Sequence, residues 1–245
     1  MVWKMEFKDA CKEWNIELTE IQAEMFEEYF RMLVSWNEKM NLTAITERDE
    51  VYVKHFLDSM SFCKVLSSLN NENYLNGEFS LIDVGTGAGF PGIPIKILYP
   101  NFKITLMDSL NKRITFLEEV VRTLKLNNVE VIHSRAEDLG HSDVYREKYD
   151  FAVSRAVANL SSLSEYCLPF VKVGGFFVSY KSEKASEEIL AAKSAVFLCG
   201  GSLKDEISFV LPGTDLKRTL VVIEKKQNTS VKYPRKAGLP TKKPL

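Results

Sequence analysis

Cysteine and histidine are scarce. Four cysteines and three histidines in 245 residues leave little for a disulfide framework or a metal centre. Cys11, Cys63, Cys167 and Cys199 lie far apart with no C-x-x-C pair, which argues against structural zinc and fits a reducing cytoplasm. Long apolar runs are missing too. Stretches such as residues 80–84 and 220–223 fall far short of the ~20 residues that cross a bilayer, so no membrane role is expected. The first twelve residues alternate charge with bulky side chains and lack the apolar core of a secretory signal. No internal repeat is visible. Hydrophobic residues at 45% and charged residues at 27% are those of an ordinary globular chain, which excludes wholesale disorder.

Net charge is nearly absent, at −1, but it is unevenly spread. Residues 217–245 hold nine Lys or Arg against the single acid Glu224, a charge of +8 on a remainder of −9. A basic end on an acidic body points to a polyanionic partner; a solvated tail that aids solubility accounts for the charge equally well.

Three regions follow from patterning. In residues 1–75, apolar side chains at Ile21, Met25, Phe26, Tyr29, Phe30, Leu33 and Trp36 recur at helical spacing, with Thr19 as N-cap. A second helix is expected over 51–69, and the polar stretch 67–78 reads as a linker. Residues 76–226 alternate strands with helices. The strands are expected at 79–84, 102–108, 129–133, 151–154 and 176–181, with a late pair at 209–211 and 219–224. Ile114, Leu117, Val121 and Leu124 mark a helix capped by Ser109 or Asn111. Such alternation makes a mostly parallel sheet covered on both faces, with the late pair antiparallel at its edge. Residues 227–245 form a basic tail.

The first strand runs into Asp83-Val84-Gly85-Thr86-Gly87-Ala88-Gly89-Phe90. Glycines at alternate positions after an apolar strand allow a tight turn against which a ligand can lie. The dinucleotide fingerprint G-x-G-x-x-G needs a third glycine where Phe90 stands, and no Gly-Lys-Ser/Thr follows as in a P-loop. The D-x-G-x-G-x-G spacing instead resembles motif I of class I S-adenosylmethionine-dependent methyltransferases. That resemblance implies a Rossmann-like α/β fold with a seven-stranded sheet, an antiparallel edge strand and here an N-terminal helical extension. On it, Asp83 is positioned to hold the cofactor's ammonium group, directly or through water. Asp108, ending the second strand, suits the two ribose hydroxyls, as in the parallel dinucleotide case. Glu137, after the third strand, or the backbone next to it, suits the adenine amino group.

The acceptor is narrowed by absences. No Asn/Asp-Pro-Pro-aromatic motif follows strand four, where Val153-Ser154-Arg155-Ala156-Val157 stands, so exocyclic amino methylation is disfavoured. Cys167 in Tyr166-Cys167-Leu168-Pro169 reads as a buried apolar residue rather than the nucleophile of cytosine C5 methylation. A ring nitrogen with an in-plane lone pair, such as guanine N7, needs neither base nor covalent intermediate. Arg155 is then a candidate for the guanine edge or for the cofactor, or a structural partner of Glu137 or Asp138. Lys181 is an RNA contact or a surface lysine, and His55 a packing or RNA-facing residue rather than a metal ligand.

Further stretches resemble the bacterial family of small-subunit 16S rRNA guanine-N7 methyltransferases, the glucose-inhibited division protein B family, along nearly the whole chain. They are Trp36-Asn37, Met40-Asn41-Leu42-Thr43, His55-Phe56-Leu57-Asp58-Ser59, the glycine loop with Phe90-Pro91-Gly92, and Asp108-Ser109-Leu110 with Lys112-Arg113. Arg135-Ala136-Glu137, Ser154-Arg155-Ala156 and Tyr233-Pro234-Arg235-Lys236-Ala237-Gly238 complete them. The resemblance implies a cytoplasmic, monomeric, metal-free enzyme that methylates N7 of one guanine of 16S rRNA, and whose loss accompanies low-level streptomycin resistance. It places S-adenosylmethionine at Gly85, Phe90, Ala136, Glu137 and Arg155, to which the glycine-loop reading adds Gly87 and the ribose argument Asp108. Lys181, Arg218, Arg235 and Lys236 are the expected RNA contacts. The alternatives are a methyltransferase of small molecules or protein, and a ribosome-assembly protein without turnover.

Overall fold

A computed structural model describes residues 5–69, 77–183 and 185–245, so most of the expected 67–78 linker lies outside the described residues. The chain opens with α1 (Phe7–Lys12) and α2 (Glu20–Met40). Thr19 caps α2 as expected: its hydroxyl accepts from the Gln22 amide, and the Gln22 side chain accepts in return from the Thr19 amide at 3.0 Å. Asn41, at φ 49°, ends it in the left-handed region.

The single helix expected over 51–69 is broken into pieces: α3 (Arg48–Val51), a π-helical stretch (Tyr52–Leu57), α4 (Asp58–Met60) and α5 (Phe62–Ser68). Two serine hydroxyls compete with the helical ladder there. Ser59 donates to the His55 carbonyl at 2.5 Å and Ser61 to that of Asp58 at 2.6 Å.

Strands and helices then alternate as β1 (Ser80–Val84), α6 (Gly92–Leu98), β2 (Lys103–Asp108), α7 (Asn111–Thr123), β3 (Val129–His133), α8 (Ala136–Leu139), β4 (Tyr149–Arg155), α9 (Leu160–Cys167), β5 (Val171–Lys181) and α10 (Ala185–Leu198). β6 (Gly201–Val210), β7 (Lys217–Lys225) and α11 (Leu239–Lys242) follow. One seven-stranded sheet results, in the order β3-β2-β1-β4-β5-β7-β6. β1 to β5 pair in parallel, and β7 runs antiparallel to both its neighbours. The late antiparallel pair is therefore present, but β6 starts well before the expected 209. Lys204, Asp205 and Glu206 hide it from an apolar pattern, as befits an edge strand whose charges discourage further pairing.

Pleating sends neighbouring residues to opposite faces. Leu81 joins a core with Tyr29, Phe56, Phe116 and Phe151, beneath the N-terminal helices, α6 and α7. Ile82 joins the other core, with Leu160, Leu163, Phe177 and Tyr233 under α8 to α10. The N-terminal helices thus share one core with the sheet.

The tail is packed as well. Tyr233 is buried, and the Arg235 guanidinium and backbone amide both donate to the carboxylate of Glu165, itself 0% exposed. Arg146 holds the Thr229 and Tyr233 carbonyls at 2.6 and 3.0 Å. For this segment the solvated reading is corrected: Tyr233, Pro234, Pro240 and Arg235 all have partners in the body.

Candidate active site

Chain connections leave β1 and β4 in opposite directions, so a crevice opens at their carboxyl ends, the usual ligand position in an open parallel sheet. Gly85 and Gly87 begin that crevice in left-handed backbone, at φ 74° and 63°. A Cβ on Gly85 would lie 2.7 Å from Val157, whereas one on Gly87 would meet nothing within 4 Å. The Gly87 position therefore faces open space that a ligand can fill.

Asp83 is fully buried, which leaves, of the two expected contacts with an ammonium group, only the one through water. Its Oδ2 accepts from the Thr86 hydroxyl at 2.6 Å and the Gly92 amide at 2.8 Å, bracing the loop from beneath. Oδ1 has no partner. Burial outweighs both bonds and lifts the carboxyl pKa to about 7.

Asp108 closes β2 at 2% exposure. Its Oδ1 accepts from the Leu110 amide at 2.9 Å; Oδ2 accepts from the Gly87 amide and from Arg113 Nη1, both at 3.0 Å. Those bonds tie the second strand to the glycine loop. They also explain why neither Ser109 nor Asn111 caps α7: the cap position is Leu110, served by the Asp108 carboxylate. Beyond β3, Ala136 and Glu137 open α8, and Glu137 Oε1 accepts from the Gly238 amide of the tail at 2.9 Å. Gly85, Asp108, Ala136, Glu137, Tyr166, Gly238 and Thr241 border a hollow of about 320 Å³.

A second hollow of about 370 Å³ adjoins it through Gly85, Asp108 and Val157, and reaches Phe90, His55, Arg113 and Arg155. The His55 ring stacks on Phe90 with centroids 4.6 Å apart, and the Arg155 guanidinium lies 5.2 Å from the same ring. His55 Nε2 meets the Thr43 hydroxyl at 3.0 Å. Burial first, then the charge of Arg155, lowers the His55 pKa to about 3, so its ring is neutral. Arg155 pairs with neither Glu137 nor Asp138 but with Asp58, at 2.9 Å. Ala156 follows at φ 57°, a strained position for a residue with a side chain, and turns the chain sharply at the rim.

The four expected RNA contacts fare differently. Lys181 bonds the Ala158 carbonyl at 3.0 Å and Glu188 at 2.7 Å, and its side chain is only 9% exposed, which rules out a surface lysine. Arg218 donates to Asp58 at 3.1 Å. Arg235 is committed to Glu165, while Lys236 stands exposed.

Known proteins fit this arrangement. A model of the family described as rRNA small subunit methyltransferase G matches residues 22–214. The chain belongs to that family. It is 50% identical over 242 residues to the ribosomal RNA small subunit methyltransferase G of Alkaliphilus metalliredigens, covering 99% of this chain and 98% of the relative. The counterpart of Alkaliphilus oremlandii is 51% identical over 245 residues, covering 98% and 100%. Among solved structures, a SAM dependent methyltransferase from Aquifex aeolicus superposes with a TM-score of 0.50 at 18% identity, over 73% of this chain and 94% of its own. A putative sarcosine dimethylglycine methyltransferase from Galdieria sulphuraria gives 0.52 at 14%, over 69% and 84%. Those two likenesses concern the fold.

In this methyltransferase G family member, sequence reasoning missed several wall residues. Val157, Tyr166 and Thr241 border the first hollow without a charge that marks them, and Gly238 does so from a tail motif noted for its resemblance but not for this contact. Arg113 bonds Asp108 and stands in a motif already noted, so the spacing of five residues along α7 could have found it. Among the described residues no group of three His, Cys, Asp or Glu side chains is arranged to hold a metal ion.

Proposed function

We propose that this chain transfers a methyl group from S-adenosylmethionine to N7 of one guanine in the 16S rRNA of the small ribosomal subunit, acting as a cytoplasmic monomer. The observation that carries the reading is the convergence of Gly87, Asp108, Glu137 and Arg155, from four successive strand ends, on two joined hollows. The residues fit the cofactor. Gly87 leaves room where a Cβ would intrude, and Asp108 is a buried carboxylate of the type a ribose diol needs.

Gly85 and Gly87 offer bare backbone to the amino-acid end, with Phe90 beside it and Arg155 at the border with the neighbouring cavity. Asp108 accepts the ribose hydroxyls. A carboxylate offers about four lone-pair positions, of which three are taken, so the Arg113 contact, on a side chain about a third exposed, is the one to yield. Ala136 and Glu137 take the adenine, with the tail residues Gly238 and Thr241 closing the wall. When bound, the cofactor supplies a sulfonium methyl group. Guanine N7 already carries its lone pair, so the protein's task is alignment rather than proton removal. Neutral His55 agrees with that: it adds no charge that would repel a purine becoming cationic. The target base leaves its stack to reach the crevice, as bases do when chemistry is performed on them.

The test is transfer of labelled methyl to 16S rRNA, offered as naked RNA and as small subunits, followed by chemical cleavage at 7-methylguanosine. A single N7 product is expected. No incorporation with either substrate overturns the reading.

A further inference from the structure

A third cavity, of about 480 Å³, opens beside the glycine-loop hollow and shares His55, Arg155 and Ala156 with it. Tyr180, Lys181 and Arg218 complete its wall. A group lodged there lies next to whatever fills the first two hollows. Between its two arginines sits Asp58, 6% exposed. Oδ2 accepts from Arg155 Nη1 at 2.9 Å and Oδ1 from Arg218 Nε at 3.1 Å. One carboxylate thus joins the ends of β4 and β7 to the N-terminal helices.

The π-helical stretch makes this junction. Arg155 Nη1 also donates to the Lys54 carbonyl at 3.1 Å, and the Tyr180 hydroxyl donates to the Ser59 carbonyl at 2.9 Å. π-Turns are uncommon and concentrate at functional sites. This one directs a carbonyl and, one residue past its end, a carboxylate at a single guanidinium. Lys181 is matched by Glu188, whereas the two arginines share one acid, so the wall retains N–H donors for a base edge.

We propose that Asp58 is a positioning residue for methyl transfer: by bridging Arg155 and Arg218 it fixes both at the wall of this cavity, which receives the acceptor guanine. The inference rests on the function proposed above. An N7 that is to attack must keep its lone pair, so Arg155 donates to the neighbouring O6 and not to N7. A guanidinium freed from Asp58 swings on a flexible stem, and misplacement by about 1 Å costs on the order of 100-fold in rate.

The experiment compares full-length wild type, Asp58→Asn and Asp58→Glu. It measures kcat and KM with small subunits, the Kd of S-adenosylhomocysteine by calorimetry, and the melting temperature. Asp58→Asn keeps the shape and bridges only one arginine. Its kcat is expected to fall 10- to 100-fold with the cofactor-product Kd within about threefold, and Asp58→Glu to restore part of the loss. A kcat per folded molecule equal to wild type overturns the proposal, as does a loss matched by weaker binding of S-adenosylhomocysteine. Should Asp58→Asn fail to fold, Arg218→Gln decides. It retains the Asp58–Arg155 pair, and an unchanged KM and kcat for small subunits overturns the clamp. A wild type inert toward 16S rRNA overturns the function proposed above together with this inference, whereas an active wild type with an equally active Asp58→Asn overturns the clamp alone.

Discussion

Gly87 and Asp83 stand four residues apart and answer to opposite constraints, one to open space and one to its exclusion. At Gly87 any side chain is strained by φ 63° and projects into the hollow. Gly87→Val is therefore expected to weaken S-adenosylhomocysteine binding at least 100-fold by calorimetry, while a melting temperature within several degrees of wild type shows that the fold survives. Asp83 carries a pH signature. Its pKa rises from 3.8 unfolded to about 7 folded, so between those values the folded state holds the extra proton. The stability it contributes is complete below pH 3.8 and is lost as pH climbs through 7, at up to about 1.4 kcal/mol per pH unit. Asp83→Asn, which cannot ionise, should gain on wild type in melting temperature between pH 5 and pH 8. A constant difference across that range would place the titration elsewhere. Arg155→Ala is expected to abolish methyl transfer to 16S rRNA in a folded protein, and near-wild-type turnover would leave Arg155 a purely structural partner of Asp58.

Among the elements, those built on local periodicity were legible and those built on distant pairing were not. α2 shows its apolar stripe and its Thr19 cap in the sequence itself, and the glycine loop and Asp108 stand at the ends of short, nearly continuous β-rich runs, as expected of strands covered on both faces. The π-helical stretch is invisible, because its residues Tyr52, Val53, Phe56 and Leu57 are apolar at spacings that a straight helix would also use. Its partner lies about a hundred residues away, at Arg155, which donates to the Lys54 carbonyl. The tail misleads for the same cause: Arg235 reads as a free cation until Glu165, 70 residues earlier, folds beneath it. Since Gly238 bonds Glu137 and Thr241 lines the first hollow, a chain ended at residue 226 should lose cofactor affinity as well as RNA affinity. At least a tenfold rise in the Kd of S-adenosylhomocysteine and a lower melting temperature are expected. Truncation that spares both would mean the tail only rests on the surface.

At the scale of the molecule the charge asymmetry takes on a shape. The acidic body carries the nucleoside hollow, and the basic end folds back so that α11 borders that hollow rather than trailing away. Lys236, Lys242 and Lys243 are exposed on this returning segment, whereas Arg235 is consumed by the fold. These three cations thus stand on the segment that borders the first hollow, free of the partners that hold Arg235. Replacing the three lysines by alanine removes charge without touching Glu137, Glu165 or the hollow. Each phosphate contact to single-stranded RNA contributes about 0.7 to the slope of log affinity against log salt, so the slope should drop by about 2 if all three engage. The cofactor should bind as before, which separates this variant from the truncation. The measurement is RNA binding across a salt series at fixed pH, and an unaltered slope would move the phosphate grip to another face of the protein.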